Sequence, residues 1–304
     1  MTLAPIVVFS YNRPNHLRST LEALAKNDLA QKSVLFVYCD GPKNNATDEQ
    51  RQRIASNRDV ARAVRGFREV HVVEREQNIG LKDNIVGAVT EIVNQYGRVI
   101  TLEDDVVTSV GFLKYMNEAL ELYVNDEKVM HISAYMYPHK SRLPDTFFYP
   151  VPYPGGGWAT WQRAWSQYND DALELFDYWK DKWEMFDIYG GDYLSKQLKR
   201  NREGTMRTWF VKWYAVMRKQ DALTLYPGRS LTNNIGFDNL ATNCYTTTKF
   251  DVVPTDSVKV ERIPLSVNRK ATKLIYDFYQ GHWYNKRRRN ALMKKAKDAI
   301  LFWR

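Results

Sequence analysis

Cysteine is nearly absent from this chain. Cys39 and Cys244 stand far apart without metal-ligand spacing, which excludes a disulfide framework and a zinc site. Long apolar runs are missing too: no stretch approaches the ~18 residues of a membrane span. Met1-Thr2-Leu3-Ala4-Pro5 lacks the charged and apolar regions of a secretory signal, so the expectation is a cytoplasmic protein. No glycine-rich phosphate fingerprint follows the first apolar strand, which counts against a dinucleotide-binding fold and a P-loop.

What is present is globular. The 304 residues are 44% hydrophobic and 13% aromatic, with nine Trp and nineteen Tyr. A chain of this length buries roughly 75% of its unfolded surface. Positive charge is concentrated at one end. Residues 266–304 hold eleven Lys and Arg against two Asp, a surplus of 11 − 2 = 9 that equals the +9 of the whole chain.

The stretch that organises the rest is Arg98-Val99-Ile100-Thr101-Leu102-Glu103-Asp104-Asp105-Val106-Val107, an apolar run ending in three carboxylates. It reads as a buried parallel strand with a charged C-terminal end. Adjacent carboxylates repel, and the usual remedy is a cation. An arbitrary Glu-Asp-Asp is more often a solvated turn; what sets this one apart is its neighbours in the chain.

Pro5–Ser10 is a short apolar run suited to a first strand, stopped by Tyr11-Asn12-Arg13-Pro14. Pro14 suits a first helical turn, and Leu17, Leu21 and Leu24 recur at helical spacing. Asn12 and Arg13, between a strand end and a helix start, are placed to meet an anionic or heterocyclic ligand. A second strand, 33–39, runs into Asp40-Gly41-Pro42, which is either a turn signal or a ribose and base contact. Residues 44–65 have a helical tendency, and 69–73 form a third strand. A polar loop then leads from Glu74 to Leu81 and into a helix with Leu81, Ile85, Ala88, Val89 and Ile92 on its apolar face. Four βα units imply an α/β fold with ligand-type residues at successive strand ends.

In these segments, namely 7–14, Asp40-Gly41-Pro42, 74–81 and Glu103-Asp104-Asp105, the chain resembles nucleotide-sugar glycosyltransferases of the GT-A fold. It is most similar to bacterial family-2-type enzymes and to the N-acetylglucosaminyltransferase I group. The resemblance covers residues 5–245 and implies a Rossmann-like, mostly parallel central sheet flanked by helices. The chain is expected to divide into a nucleotide-sugar-binding half (1–110), an acceptor-binding half of the same domain (111–265) and, by its charge, a basic helical tail (266–304). The resemblance also implies residue roles. Asp105 would hold Mn²⁺ or Mg²⁺ against the diphosphate, Asp104 would reach the ribose or sugar side, and Glu103 would support the site. Asp40, Asn12 and Arg13 would face the base and ribose. Arg75, Asn78 and Gly80 would close over the nucleotide.

In the second half, Phe112–Tyr123 reads as a helix and Val129–Tyr135 as a strand. The run Gly155-Gly156-Gly157-Trp158 is either a flexible loop or a sugar platform, and the similar enzymes carry Gly-Gly-Trp beside donor and acceptor sugars. Gly156, Gly157 and Trp158 are therefore the expected sugar contacts. Residues 163–199 read as helices around an aromatic core. Segments 207–215, 223–228 and 233–238 continue the resemblance.

One departure concerns the base. Where similar enzymes place an acid near the Trp209-to-Trp213 segment, this chain has Lys199, Arg200, Arg207 and Phe210. Asp192 and Asp238 are the nearest substitutes, with Glu203 third. Lys212 is expected either to contact phosphate or to solvate a helix face.

In the tail, Leu292, Ala296, Ala299, Ile300 and Trp303 share one helical arc beside Lys286-Arg287-Arg288-Arg289 and Lys294-Lys295. This suits a helix on an anionic bilayer, or one docked on the body with its basic side in water. No nucleic-acid fold signal accompanies it. The expected activity is metal-dependent transfer of a hexosyl or N-acetylhexosaminyl group to a glycan or lipid-linked glycan. The donor would be a nucleotide-diphosphate sugar, a UDP-sugar first among candidates, with inversion implied by the resemblance. Such an enzyme would serve surface polysaccharide or lipopolysaccharide assembly on the inner face of the cytoplasmic membrane. The rivals are a sugar nucleotidyltransferase and a non-catalytic glycan- or membrane-binding protein on the same fold.

Overall fold

The computed structural model describes residues 2–188, 191–238 and 246–280. The first half alternates strand and helix. β1 (Ile6–Ser10), α1 (Pro14–Ala25), β2 (Val34–Cys39), α2 (Asp48–Ala63), β3 (Glu69–Glu74), α3 (Gly80–Tyr96) and β4 (Arg98–Glu103) follow one another in chain order. The four strands are parallel neighbours in the order β3-β2-β1-β4. Along β1, Val7 and Phe9 feed one core layer while Ile6 and Val8 feed the other, as the two-residue period of a strand requires. On the first layer lies the face of α3 that carries Ile85, Ala88, Val89 and Ile92. On the second lies the Leu17, Leu21 and Leu24 face of α1.

The local signals are strong. Pro14 occupies the first turn of α1, and a Thr47–Gln50 capping box starts α2. Gly97, at φ 76°, ends α3 in the left-handed conformation.

The sheet continues through β8 (Trp158–Trp161), β6 (Val129–Ser133), β9 (Leu223–Pro227) and β7 (Thr146–Tyr149). β8 is antiparallel to both β4 and β6, β9 is parallel to β6, and β7 is antiparallel to β9. Six of the eight strands (β1–β4, β6 and β9) therefore run one way, and the sheet is mostly parallel as expected. Gly155 and Gly156 form a turn, but Trp158 opens an inner strand of this sheet, which corrects its reading as part of a loop or platform.

The helices α4 (Phe112–Leu122), α5 (Gln162–Trp165), α6 (Ala172–Trp179), α7 (Trp183–Phe186), α8 (Tyr193–Arg202) and α9 (Phe210–Lys219) complete the layers, and residues 269–280 are helical. A two-stranded ladder pairs β5 (Val106–Thr108) with β10 (Thr232–Asn234) just beyond the acidic run. No helix among the described residues is long and apolar enough to cross a membrane. The basic run at 286–289 and the apolar arc from Leu292 to Trp303 lie outside the described residues, as does Cys244.

Candidate active site

Register brings the polar strand exits together. Phe9 on β1 sits opposite Tyr38 of β2 and Glu103 of β4, so the chain leaves the three strands along one edge. That edge gathers Asn12 and Arg13 from the first exit, Asp40 from the second, and Asp104 and Asp105 from the third.

Arg13 is the hinge of the acidic cluster. Its Nη2 donates to Asp104 Oδ1 at 2.5 Å and to Asp105 Oδ2 at 2.7 Å. Asp104 is 4% exposed and Asp105 7%. Burial pushes the Asp104 carboxyl above its usual range although Arg13 pulls the other way. Burial, with the charges of Asp105 and Asp104, pushes Glu103 up as well. Burial opposes the Arg13 charge, but the two carboxylates outweigh it and the guanidinium stays firmly protonated. One cation therefore faces three carboxylates.

Asp105 is held from a second side by the β5–β10 ladder. Asn234 Nδ2 donates to Asp105 Oδ1 at 3.1 Å and to the Gly155 carbonyl at 2.9 Å, and its Oδ1 accepts from Gly236 N at 2.7 Å. Ile235 N donates to the Asp105 carbonyl. Gly236 is there because nothing larger fits: a Cβ on it would lie 1.9 Å from Asp105 Oδ2. Thr232 Oγ1 donates to the Gly156 carbonyl at 2.6 Å. The glycine run 155–157 is thus pinned beside the acidic cluster, and a Cβ on Gly156 would collide with Tyr135.

Asp40, 5% exposed, organises the neighbouring loop. Its Oδ1 accepts from Gly41 N and Ile79 N, and its Oδ2 from Asn78 Nδ2 and Gly80 N, at 2.9–3.0 Å. Ile79, which precedes α3, offers no side-chain cap, and Asp40 supplies that cap from another strand. An ionised carboxylate accepts about four hydrogen bonds. Those four come from within the chain, so Asp40 is an organiser of the loop, where the sequence left a turn or a base contact. A Cβ on Gly41 would sit 2.4 Å from the Gln77 backbone, so the loop lies flat on the β2 exit. Arg75 joins this loop through its N–H to the Cys39 carbonyl, and its guanidinium lies 5.5 Å from the Tyr38 ring centre.

The two acids named as bases part company. Asp238, two residues beyond Gly236, pairs with His16 in the first turn of α1 at 3.1 Å, which sets it on the Arg13 side of the cluster. Asp192 stands at the start of α8, 69% exposed and paired with Lys196 at 2.6 Å, and Glu203 caps the other end of that helix. Both belong with α8.

Trp158 corrects the expectation of a sugar platform. It is 3% exposed, and its ring stacks on His131 at 5.0 Å and on Trp209 at 5.1 Å. An indole enclosed in this way is core.

Lys212 is buried rather than solvated, and Asp170 accepts from its Nζ at 2.7 Å. Asp170 also takes Lys82 Nζ and, at 3.1 Å, the Tyr168 hydroxyl. Burial raises the Asp170 pKa, but the two ammonium groups outweigh it and hold the carboxyl low. Sequence reasoning passed over Asp170, Lys82 and Asn234. Asn234 had a signal in Asn233-Asn234-Ile235-Gly236, whereas Asp170 and Lys82 had none.

Among the described residues no three or more His, Cys, Asp or Glu side chains are gathered to hold a metal ion. The oxygen donors present suit Mg²⁺ or Mn²⁺ in another way. Such an ion takes one or two carboxylates and completes its shell with phosphate oxygens and water. Asp105 and Asp104, short of positive charge, have that chemistry.

No family model matches the chain. Among solved structures it is similar to S. aureus TarS 1-349, with 12% identity over 75% of this chain and 59% of that one, at a TM-score of 0.38. A longer S. aureus TarS structure matches at 16% identity and a TM-score of 0.29, and the chain spans 23% of its length. Galactosyltransferase LgtC, in complex with donor and acceptor sugar analogues, matches at 11% identity over 72% of each chain, at a TM-score of 0.38. Mouse xyloside xylosyltransferase 1 matches at 11% identity over 70% of this chain and 80% of that one, at a TM-score of 0.35.

Proposed function

We propose that this chain is a glycosyltransferase that moves a sugar from a nucleotide-diphosphate donor, a UDP-sugar first among candidates, to a glycan or lipid-linked glycan. The observation that carries the reading is the shared edge of β1, β2 and β4. An acidic pair held by Arg13 and Asn234 stands there beside a glycine run and a loop shaped by Asp40. Asp105, with Asp104, would hold Mn²⁺ or Mg²⁺, which when bound supplies positive charge to the departing diphosphate. We assign Asn12, Arg75, Asn78 and Gly80 to the base and ribose, a reading supported by their place at the exits of β1 and β2 and in the loop that Asp40 shapes. The glycine run, held beside the acidic pair by Thr232 and Asn234, is the segment we assign to the transferred sugar.

Asp238 is the carboxylate we assign as base. It takes the proton of the acceptor hydroxyl while that oxygen bonds to the anomeric carbon. The bond from that carbon to the diphosphate breaks, and the electron pair leaves with the nucleotide. The residue types that support inversion are those of the resemblance. A role at the inner face of the cytoplasmic membrane, in surface polysaccharide or lipopolysaccharide assembly, is supported by the basic, Trp-bearing sequence after residue 281.

The test is a thermal-shift panel of nucleotide sugars with and without Mn²⁺, followed by donor hydrolysis for the wild type and Asp105→Ala. A Mn²⁺-dependent shift and a loss of hydrolysis of at least ~100-fold in Asp105→Ala are expected, comparable to removing one electrostatic stabiliser. A chain that no nucleotide sugar stabilises, or a variant with unchanged turnover, overturns the reading.

A further inference from the structure

A cleft of about 280 Å³ opens between α2 and the β2 exit, lined by Pro42, Arg51, Ile54, Ala55, Arg58, Asp59 and Arg62. None of these residues belongs to the acidic cluster. The spacing of 51, 55, 58 and 62 places Arg51, Ala55, Arg58 and Arg62 on one face of α2, with Ile54, 3% exposed, at its edge. Three guanidinium groups against the one Asp59 carboxylate leave the lining at 3 − 1 = +2, and at +1 once Glu74, which pairs with Arg58 and Arg62 from beside the cleft, is counted.

Those arginines are unequally engaged. Arg62 pairs with Glu74 at 2.7 Å and with Asp59 at 3.1 Å. Arg58 donates to the Arg75 carbonyl at 2.6 Å and reaches Glu74 only at 3.7 Å, and its buried Nε has no hydrogen-bond partner among the described residues. A single carboxylate, Glu74, is thus shared between two guanidinium groups. Arg51 has no carboxylate partner among the described residues. A concave surface with unspent, charged, fork-shaped donors matches the oxygens of a phosphoryl group. The size is below that of a drug-sized pocket, and no aromatic ring lines it to stack on a base, so the fit is to the anion alone.

We infer that this arginine-lined cleft is a binding site for a free phosphate or diphosphate anion, separate from the acidic edge. Its occupant sits against the same Arg58 that braces the Arg75 carbonyl, and Pro42 on its other wall accepts from Asn78 N at 3.1 Å. Occupancy therefore stiffens the loop 75–80 from outside. The inference stands apart from the proposed glycosyl transfer.

The experiment melts the full chain with sodium pyrophosphate in EDTA, against sodium chloride of equal ionic strength. The wild type and Asp105→Ala are expected to gain about 2–4 °C at saturation. The double variant Arg51→Gln/Arg62→Gln should gain nothing, while melting near the wild type without ligand because its lost contacts are exposed ion pairs. A wild-type shift no larger than the chloride control, or one that the double variant keeps or Asp105→Ala loses, overturns the inference. Failure of nucleotide sugars to bind leaves it standing.

Discussion

His131 on β6 should make this protein acid-labile by a predictable amount. Its imidazole is fully buried, stacks on Trp158, and accepts from Trp213 Nε1 through Nδ1 at 3.3 Å. Burial drives its pKa down from 6.5 to about 3. The folded state keeps the ring neutral, whereas the unfolded chain takes up a proton below pH 6.5. The unfolded state therefore binds more protons, and stability rises with pH between about 3 and 6.5. Its contribution is fully present above 6.5 and is lost as pH falls toward 3. Integrated from pH 7 to pH 5, the loss is about 2 kcal/mol. Urea denaturation followed by tryptophan fluorescence, at both pH values, checks this in the wild type and His131→Gln. Glutamine still offers Trp213 an acceptor but does not titrate. Carboxylates titrate in both proteins and cancel in the difference. The wild type should lose about 2 kcal/mol more than the variant. Equal losses would refute the assignment of a buried, neutral His131.

Two further substitutions separate the site from the scaffold. Gly236→Ala places a methyl group 1.9 Å from Asp105 Oδ2, so the carboxylate or the 235–238 segment must move by more than an ångström. A displacement of that size costs catalysis on the order of 100-fold. Donor hydrolysis should fall accordingly, and unchanged turnover would show that the Asp105 position is immaterial. Trp158→Phe removes volume from a stacked core and should cost about 1–3 kcal/mol in urea denaturation while leaving the affinity for sugar unchanged. A selective loss of sugar binding, without loss of stability, would restore the platform reading.

Much of the first half is legible because each strand is a short apolar run ending in polar residues. Ile6–Ser10, Val34–Cys39, Glu69–Glu74 and Arg98–Glu103 fall within a residue or so of their expected bounds. The helices carry their own marks, in Pro14, in the apolar face of α3 and in Gly97. The second half is harder to read. Trp158–Trp161 follows three glycines and resembles a loop locally, and only pairing with β4 and β6 makes it an inner strand. Thr146–Tyr149 is a strand by its pairing with β9. The acidic cluster could be named from the sequence, but its clamp could not. Asn234 meets Asp105 across 129 residues, and Lys212 meets Asp170 across 42. Asp40 shows the limit most clearly, since a Gly-Pro turn and a ligand contact predict the same tripeptide. Only the four donors around its carboxylate distinguish an organiser of the loop.

The charge balance along the shared edge bears on why a cation is proposed there. Glu103, Asp104, Asp105 and the capping Asp40 stand against Arg13 at the centre, with Arg75 further out over Tyr38. The Asp40 charge is spread over backbone N–H groups at the start of α3, where the helix dipole favours it. No such relief reaches Glu103, whose burial beside two acids works against ionisation. A dianionic diphosphate brought to this edge alone would meet like charge and be repelled. With a divalent ion bound the diphosphate would be nearly neutral, and Asp105 and Asp104 are the residues that would hold that ion. Arg13 donates to one oxygen of each of Asp104 and Asp105, and these two carboxylates are the ones that would hold such an ion. On this account Arg13 would fix the two carboxylates in place for the proposed ion instead of competing with it.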